Sequence, residues 1–172
     1  MNIELRPTTL ADLPDIMGWV NDPDITHYFA SMGNITPEQE EEYLKKMLAS
    51  KTDRLFSIFV DEEYAGQCSI NQIYWPAKNG RLFIVLTNEF QHRGLAQKVL
   101  AALLERAFIA LGLHKVWLIV REDNAGSQFL YQRAGFSIEG TLRDEYFVND
   151  KYYTMIRMAI LDWQFRQWYR TT

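Results

Sequence analysis

Cysteine is almost missing: Cys68 is the only one in 172 residues. An intrachain disulfide is therefore excluded, and the composition fits a reducing compartment, which points to the cytoplasm. Nothing around Cys68 would favour a thiolate, so it reads as a small buried hydrophobe in a strand. Long apolar runs are missing too, and the opening Met1-Asn2-Ile3-Glu4 lacks a basic region followed by an apolar one. The chain reads as soluble and untargeted, with no membrane partner. A basic excess is also lacking, since 18 Lys and Arg face 22 Asp and Glu for a net charge of −4. No global field exists to hold nucleic acid. Low-complexity tracts, internal repeats and linkers are absent, and no spacing suggests a metal site.

What is present is a chain 48% hydrophobic and 14% aromatic, enough for one compact domain over residues 1–172 with a substantial core. Residues 3–6 alternate and predict a short strand stopped by Pro7. Thr9 or Asp12 can cap a helix with Pro14 in its first turn and Leu13, Ile16, Met17 and Val20 as its buried stripe. Residues 27–34 are aperiodic but carry adjacent aromatics, which suits either a loop over a binding site or a surface loop pinned by Phe29. Thr36-Pro37-Glu38-Gln39 is a capping box that opens a second helix, and the acidic run Glu38, Glu40, Glu41, Glu42 reads as its solvated start. Residues 55–60, 66–74 and 82–86 then predict an antiparallel meander.

The stretch 81–112 organises the rest. Leu82, Phe83, Ile84, Val85 and Leu86 read as a strand. The loop Gln91-His92-Arg93-Gly94-Leu95-Ala96 follows, and then a helix with Val99, Leu100, Leu103, Leu104, Ala107, Phe108 and Leu111 at intervals of three and four, ended by Gly112. A strand feeding a small-residue loop that opens a helix gathers unpaired N–H groups and the positive end of the helix dipole, a site for an anion such as phosphate. No Gly-Lys-Ser/Thr follows Gly94 and the Rossmann glycine spacing is absent. Residues 115–120 are apolar in succession, as in a strand covered on both faces, and strand–helix–strand places them parallel to the 82–86 strand. Residues 124–133 predict a short helix with Phe129 and Leu130 inward, and the chain finishes in a hairpin about Asn149-Asp150. A last helix carries Trp163, Phe165, Trp168 and Tyr169, either packed on the body or contacting a second subunit in a homodimer.

Two segments resemble one family. Gln91, Gly94 and Ala96 fit (Gln/Arg)-x-x-Gly-x-(Gly/Ala), and residues 124–136 fit Asn-x-x-(Ser/Ala)-x-x-(Leu/Phe)-Tyr-x-x-x-Gly-Phe, both signatures of the GNAT superfamily of N-acetyltransferases. Leu5-Arg6-Pro7 with Asp12-Leu13 also looks like this family, and within it Leu113-His114-Lys115-Val116 and residues 145–158 look similar to the ribosomal-protein N-terminal and spermidine acetyltransferase group. The resemblance implies a mixed α+β fold. About seven mostly antiparallel strands would carry a central parallel pair splayed after a bulge, with four to five helices. It implies acetyl-CoA as cosubstrate and no metal. Backbone groups near residues 85–87, Leu86 included, would bind the acetyl-pantetheine arm. Gln91, His92, Arg93, Gly94, Leu95 and Ala96 would take the pyrophosphate, and Asn124 the pantetheine. Tyr131 would protonate the departing thiolate. Many relatives carry Glu where this chain has Arg81. Either a carboxylate from elsewhere then serves as the catalytic base, with Glu145 and Asp144 the nearest candidates by resemblance and Glu122 a weaker one, or water relays the proton to solvent. The expected acceptor is a small-molecule amine. Acidic residues like those at polyamine sites are missing around residues 29–33, which counts against spermidine itself. Two alternatives stand beside it: acetylation of a protein N-terminus such as that of a ribosomal protein, and a non-catalytic acyl-CoA sensor.

Overall fold

A computed structural model describes residues 1–30 and 33–169. One seven-stranded sheet in the order β1-β2-β3-β4-β5-β7-β6 runs through it. Strands β1 (Ile3–Pro7), β2 (Arg54–Val60), β3 (Glu63–Tyr74) and β4 (Asn79–Leu86) pair antiparallel in succession. Left-handed Asp61 and Glu62 make a tight two-residue turn, so β3 starts three residues earlier than its apolar pattern suggests. β5 (Lys115–Arg121) lies parallel to β4, and β6 (Ser137–Val148) and β7 (Lys151–Leu161) form the closing hairpin.

Two cores cover the two faces. On one, α4 (Leu95–Glu105) buries Leu95, Val99, Leu100, Leu103 and Leu104 against Leu82, Leu86, Val116, Leu118, Met158 and Ile160. That helix closes on a π turn, Arg106–Ala110, with Leu111 N–H donating to the Arg106 carbonyl at 2.9 Å. Gly112, at φ 65°, ends it. On the other face, α1 (Leu13–Met17), α2 (Pro23–Thr26) and α3 (Pro37–Ala49) bury Ile16, Trp19, Ile25 and Leu44 against Leu55 and Val85. The expected capping box at Thr36 forms, with Thr36 Oγ1 accepting from Gln39 N–H at 3.2 Å and Gln39 Oε1 accepting from Thr36 N–H at 2.9 Å.

The structure corrects several local expectations. Phe129 is 61% exposed rather than inward, because α5 (Ala125–Arg133) presents Leu130 and Tyr131 to the core instead. β5 alternates, with Val116, Leu118 and Val120 buried and Lys115, Trp117 and Ile119 half-buried, so only one face is fully covered. In the acidic run, Glu38 and Glu42 are exposed and Glu41 pairs with Lys45 at 2.8 Å. Glu40, however, is buried, and burial raises its carboxyl above the ordinary range. Phe165 of α6 (Asp162–Tyr169) stacks between Phe108 at 5.1 Å and Tyr169 at 4.4 Å, so that helix packs on the body. Trp163 remains exposed, and the Trp168 side chain, with Ser31 and Met32 of the aromatic loop, lies outside the described residues.

Candidate active site

The central parallel pair is short. β4 and β5 are joined only through Asn79↔Lys115, Gly80↔Val116 and Arg81↔Trp117, after which each strand continues without the other. The irregularity expected at the splay lies not in β4 but in β3, whose register with β4 shifts between Asn71 and Tyr74, beside the last paired rung. Thr87 N–H donates to the Ala65 carbonyl at 2.9 Å, so of the predicted stretch 85–87 this amide is already engaged. Antiparallel pairing alternates, and therefore the amides of Ile84 and Leu86 face the gap that β5 has vacated. The Leu86 carbonyl accepts from Gln91 Nε2 at 2.9 Å, which pins the following loop to the strand end.

That loop is wound tightly. His92 (φ 58°) and Gly94 (φ 72°) are both left-handed, a conformation glycine takes without strain. No side chain caps the first turn of α4, and a Cβ placed on Gly94 would meet nothing within 4 Å. The unpaired amides at the helix start thus point into open space with the positive end of the dipole. A cavity of about 460 Å³ leads there from the strand gap, and Leu86, Gln91, His92, Gly94, Leu95, Ala96 and Asn124 all line it. Arg93 is exposed beside it, its guanidinium 5.5 Å from the Phe90 ring.

Asn124 and Tyr131 stand seven residues, two turns, apart along one face of the α5 region. Asn124 Oδ1 caps the helix by accepting from Ser127 N–H at 3.1 Å, which leaves its Nδ2 to donate into the cavity. The Tyr131 ring packs 5.5 Å from Phe136. Its hydroxyl makes no hydrogen bond within the described residues, and burial pushes the phenol up to about 12. Tyr131 also lines a second, smaller cavity of about 150 Å³ on the far side of the gap, together with Arg81, Phe83, Ile119, Arg121, Tyr146 and Met155. Tyr28, Phe29, Ile84, Asn124, Ser127 and Tyr131 border both cavities. They mark a throat between the larger chamber and the smaller one.

The smaller chamber differs from expectation in its charges. Glu145, Asp144 and Glu122 are exposed and line neither cavity. β6 slips register between Leu142 and Tyr146, so the chamber receives Tyr146 and not Glu145. Arg81 Nη2 donates to Tyr146 Oη at 3.0 Å. Sequence reasoning overlooked Arg121, which is 5% exposed at the end of β5. Its guanidinium grips Asp123 through two bonds of 2.9 and 2.6 Å and donates to the His27 carbonyl at 2.9 Å. It lies 5.0 Å from the Tyr28 ring centroid and 3.8 Å from that of Tyr153. This clamp fixes His27 and Tyr28 beside the throat. A charge at the tail of an apolar strand, two residues before Asp123, was the only sequence signal of it.

A parted parallel strand pair whose free amides lead to an uncapped helix start suits an extended ligand that lies along the strand edge and ends in a phosphate. The chain belongs to the acetyltransferase (GNAT) domain family, which residues 2–137 match, and it is an acetyl-CoA-dependent N-acetyltransferase. Among similar proteins, spermidine N(1)-acetyltransferase of Escherichia coli (strain K12) is 27% identical over 170 residues, covering 99% of this chain and 91% of the relative. Ribosomal-protein-serine acetyltransferase of the same organism is 30% identical over 99 residues, 58% of this chain and 55% of the relative. The crystal structure of spermidine N-acetyltransferase from Vibrio cholerae in complex with CoA and spermine superposes with a TM-score of 0.91 at 27% identity. That match covers 95% of this chain and 98% of the other.

Proposed function

We propose that a single domain spanning the chain moves the acetyl group of acetyl-CoA to the primary amine of a small molecule, by direct transfer in a ternary complex. The observation that carries this reading is the throat. Tyr131, Asn124 and Ile84 border both chambers, so a thioester lying along β4 and an amine from the smaller chamber would meet beside one unpartnered phenol. The small-molecule spermidine acetyltransferases among the relatives agree with it.

In this reading the amides of Ile84 and Leu86 hold the pantetheine arm as a neighbouring strand would, and one of them stabilises the negative charge that develops on the carbonyl oxygen. Asn124 Nδ2 donates to the same arm. Gln91, His92, Gly94, Leu95 and Ala96 surround the pyrophosphate, with Arg93 at its outer edge. As the amine nitrogen bonds to the acetyl carbon, the carbon–sulfur bond breaks and the sulfur leaves as thiolate. The amine loses one proton and the thiolate ends with one. A phenol held at about 12 lies roughly 3.5 units above an ordinary thiol near 8.5, so complete transfer of its proton would be uphill by about 5 kcal/mol. Tyr131 therefore serves as a hydrogen-bond donor to the sulfur as charge builds, with the proton settling on the thiol as the product leaves.

With Glu145 outside both chambers, the amine proton leaves through water. This favours acceptors whose amine ionises low, and it keeps a protein N-terminus, α-amino pKa about 7.7–8.0, as a second reading. The cytoplasm is the compartment that fits a coenzyme-dependent enzyme with one buried cysteine, and a homodimer is compatible with the exposed Trp163 on α6. Incubation with acetyl-CoA and a panel of amines, followed by detection of free thiol, tests the assignment. Tight coenzyme binding without thiol release for any amine or N-terminal peptide would instead make the protein a coenzyme sensor.

A further inference from the structure

The smaller chamber holds two arginines and no carboxylate among its lining residues. Arg121 is neutralised by Asp123 at 2.6 Å. Arg81 is half-buried and has no acidic partner within ion-pair distance among the described residues; its one hydrogen bond goes to Tyr146 Oη at 3.0 Å. Glu40 and Asp53 act on Tyr43 together with Arg81, yet neither pairs with it. Because the Tyr146 oxygen accepts from Arg81, its own O–H hydrogen remains to be donated. The pair therefore offers the chamber the remaining Arg81 N–H groups and the Tyr146 O–H as donors. Arg81 sits at the last β4–β5 rung, opposite Trp117, whose buried indole N–H has no acceptor among the described residues. A partly desolvated guanidinium without a counter-ion is costly, and a planar carboxylate is the ligand its fork of N–H groups fits best.

We propose that the acceptor is an amine bearing a carboxylate close by, of the α-amino acid kind, and that Arg81 with Tyr146 holds that carboxylate while the amine faces Tyr131. The inference rests on the acetyl-transfer reading above and names its substrate class. It also supplies what the chamber otherwise lacks. A fixed cation beside the amine disfavours the ammonium form, and pairing the substrate's carboxylate with Arg81 removes the charge that would have stabilised it. Arg81 thereby promotes loss of the amine proton electrostatically, in a chamber with no carboxylate base. A polyamine entering the same chamber would set its cations against the guanidinium.

The test compares phenylalanine with phenethylamine, methionine with 3-methylthiopropylamine, and spermidine, by thiol release from acetyl-CoA with wild type, Arg81→Gln and Arg81→Lys. The expected result is a kcat/KM at least tenfold higher for each amino acid than for its decarboxylated counterpart. Arg81→Gln should abolish this preference and Arg81→Lys should partly restore it, with acetyl-CoA affinity unchanged in both. Calorimetric titration of the amino acids into the CoA-bound protein should give heat that Arg81→Gln removes. Equal or better turnover of phenethylamine or spermidine by wild type, or a preference that survives Arg81→Gln, would overturn the inference and leave the acetyl-transfer reading standing. Amino acid binding lost in Arg81→Gln, with no acetyl transfer to any amine, would keep the carboxylate site and remove the transfer reading.

Discussion

Replacing Tyr131 by Phe removes one oxygen and leaves the ring, so activity and stability should separate. In the folded protein the hydroxyl makes no hydrogen bond among the described residues, while the ring stays in contact with Phe136, 5.5 Å between centroids. Nothing in the protein is left unpaired by the change. A half-buried hydroxyl without a partner costs about 1 kcal/mol or more to keep out of water. Tyr131→Phe should therefore leave stability unchanged or raise it by up to about 1 kcal/mol, which is roughly 2–4 °C in Tm at this chain length. On the proposed reading, catalysis loses a donor to the developing thiolate. One such donor is worth about 10²–10³ in kcat, or some 3–4 kcal/mol of transition-state stabilisation.

Steady-state thiol release at saturating acetyl-CoA and amine measures the first quantity, and a thermal melt the second. KM for acetyl-CoA should move less than about threefold, since the lost bond forms only as the carbon–sulfur bond breaks. A variant that keeps more than a third of wild-type kcat would refute the role given to the phenol. A variant that loses more than about 2 kcal/mol of stability would refute the claim that the hydroxyl is idle in the folded protein.

Three further outcomes follow from other parts of the site. Gly66 sits opposite Leu86 at φ 148°, and a Cβ there would fall 2.1 Å from the Val85 carbonyl oxygen. Gly66→Ala should cost about 2–5 kcal/mol by denaturant titration and weaken acetyl-CoA binding, because it displaces the strand end that lines the coenzyme chamber; a neutral change would refute the close approach. Arg121→Ala breaks three charge-assisted bonds and should destabilise by about 1–3 kcal/mol, the lower part of the range reflecting the solvent exposure of Asp123. KM for the amine should rise more than KM for acetyl-CoA as the Tyr28 loop comes loose, and equal rises would count against the clamp. Burial raises Tyr131 and Tyr169 to about 12, and Tyr64 and Cys68 higher still. The folded state then holds these protons more tightly than the unfolded one. This stability is complete below the unfolded values and should fall as pH rises through 10 towards 12, by up to about 1.4 kcal/mol per pH unit per group. Denaturation midpoints that stay flat from pH 8 to 11 would contradict it.

The parts of the site that could be read in the sequence are those built from contiguous residues. Gly94 before the 99–111 stripe announces a helix start with free amides, a matter of local geometry, whereas Tyr131 is singled out by the family motif that runs from Asn124 to Phe136 and by its local pattern alone reads as a core aromatic. Gly66 carried a signal that could have been used, since a glycine inside a strand pattern often marks another backbone approaching closely. Phe129 was misjudged because α5 is so short and polar that its sequence does not say which side faces the core. The clamp at Arg121 and the bond from Arg81 to Tyr146 span 94 and 65 residues, and a register slip in β6 decides which of Glu145 and Tyr146 turns inward. No local pattern encodes a slip in pairing with a partner strand.

That slip also decides the chemistry of the smaller chamber. With Glu145 turned out, no carboxylate among the described lining residues is placed to take a proton there, so on the proposed reading the fraction of acceptor already neutral enters the rate directly. At pH 7 an alkyl amine near 10.4 is neutral in about one molecule in 2,500, while the α-amine of a peptide N-terminus near 8 is neutral in about one in ten, a difference of roughly 250-fold; a free amino acid, whose own carboxylate raises its amine, lies between the two. Like charges about 5 Å apart in a partly buried site repel by about 3 kcal/mol at an effective dielectric of 20, a further factor of about 200 against a cation lodged beside Arg81. The two effects act in the same direction. On the proposed reading, a chamber lined this way selects against a cation lodged beside Arg81 and favours an amine with a carboxylate close by, so that Arg81 at the strand gap sets the acceptor.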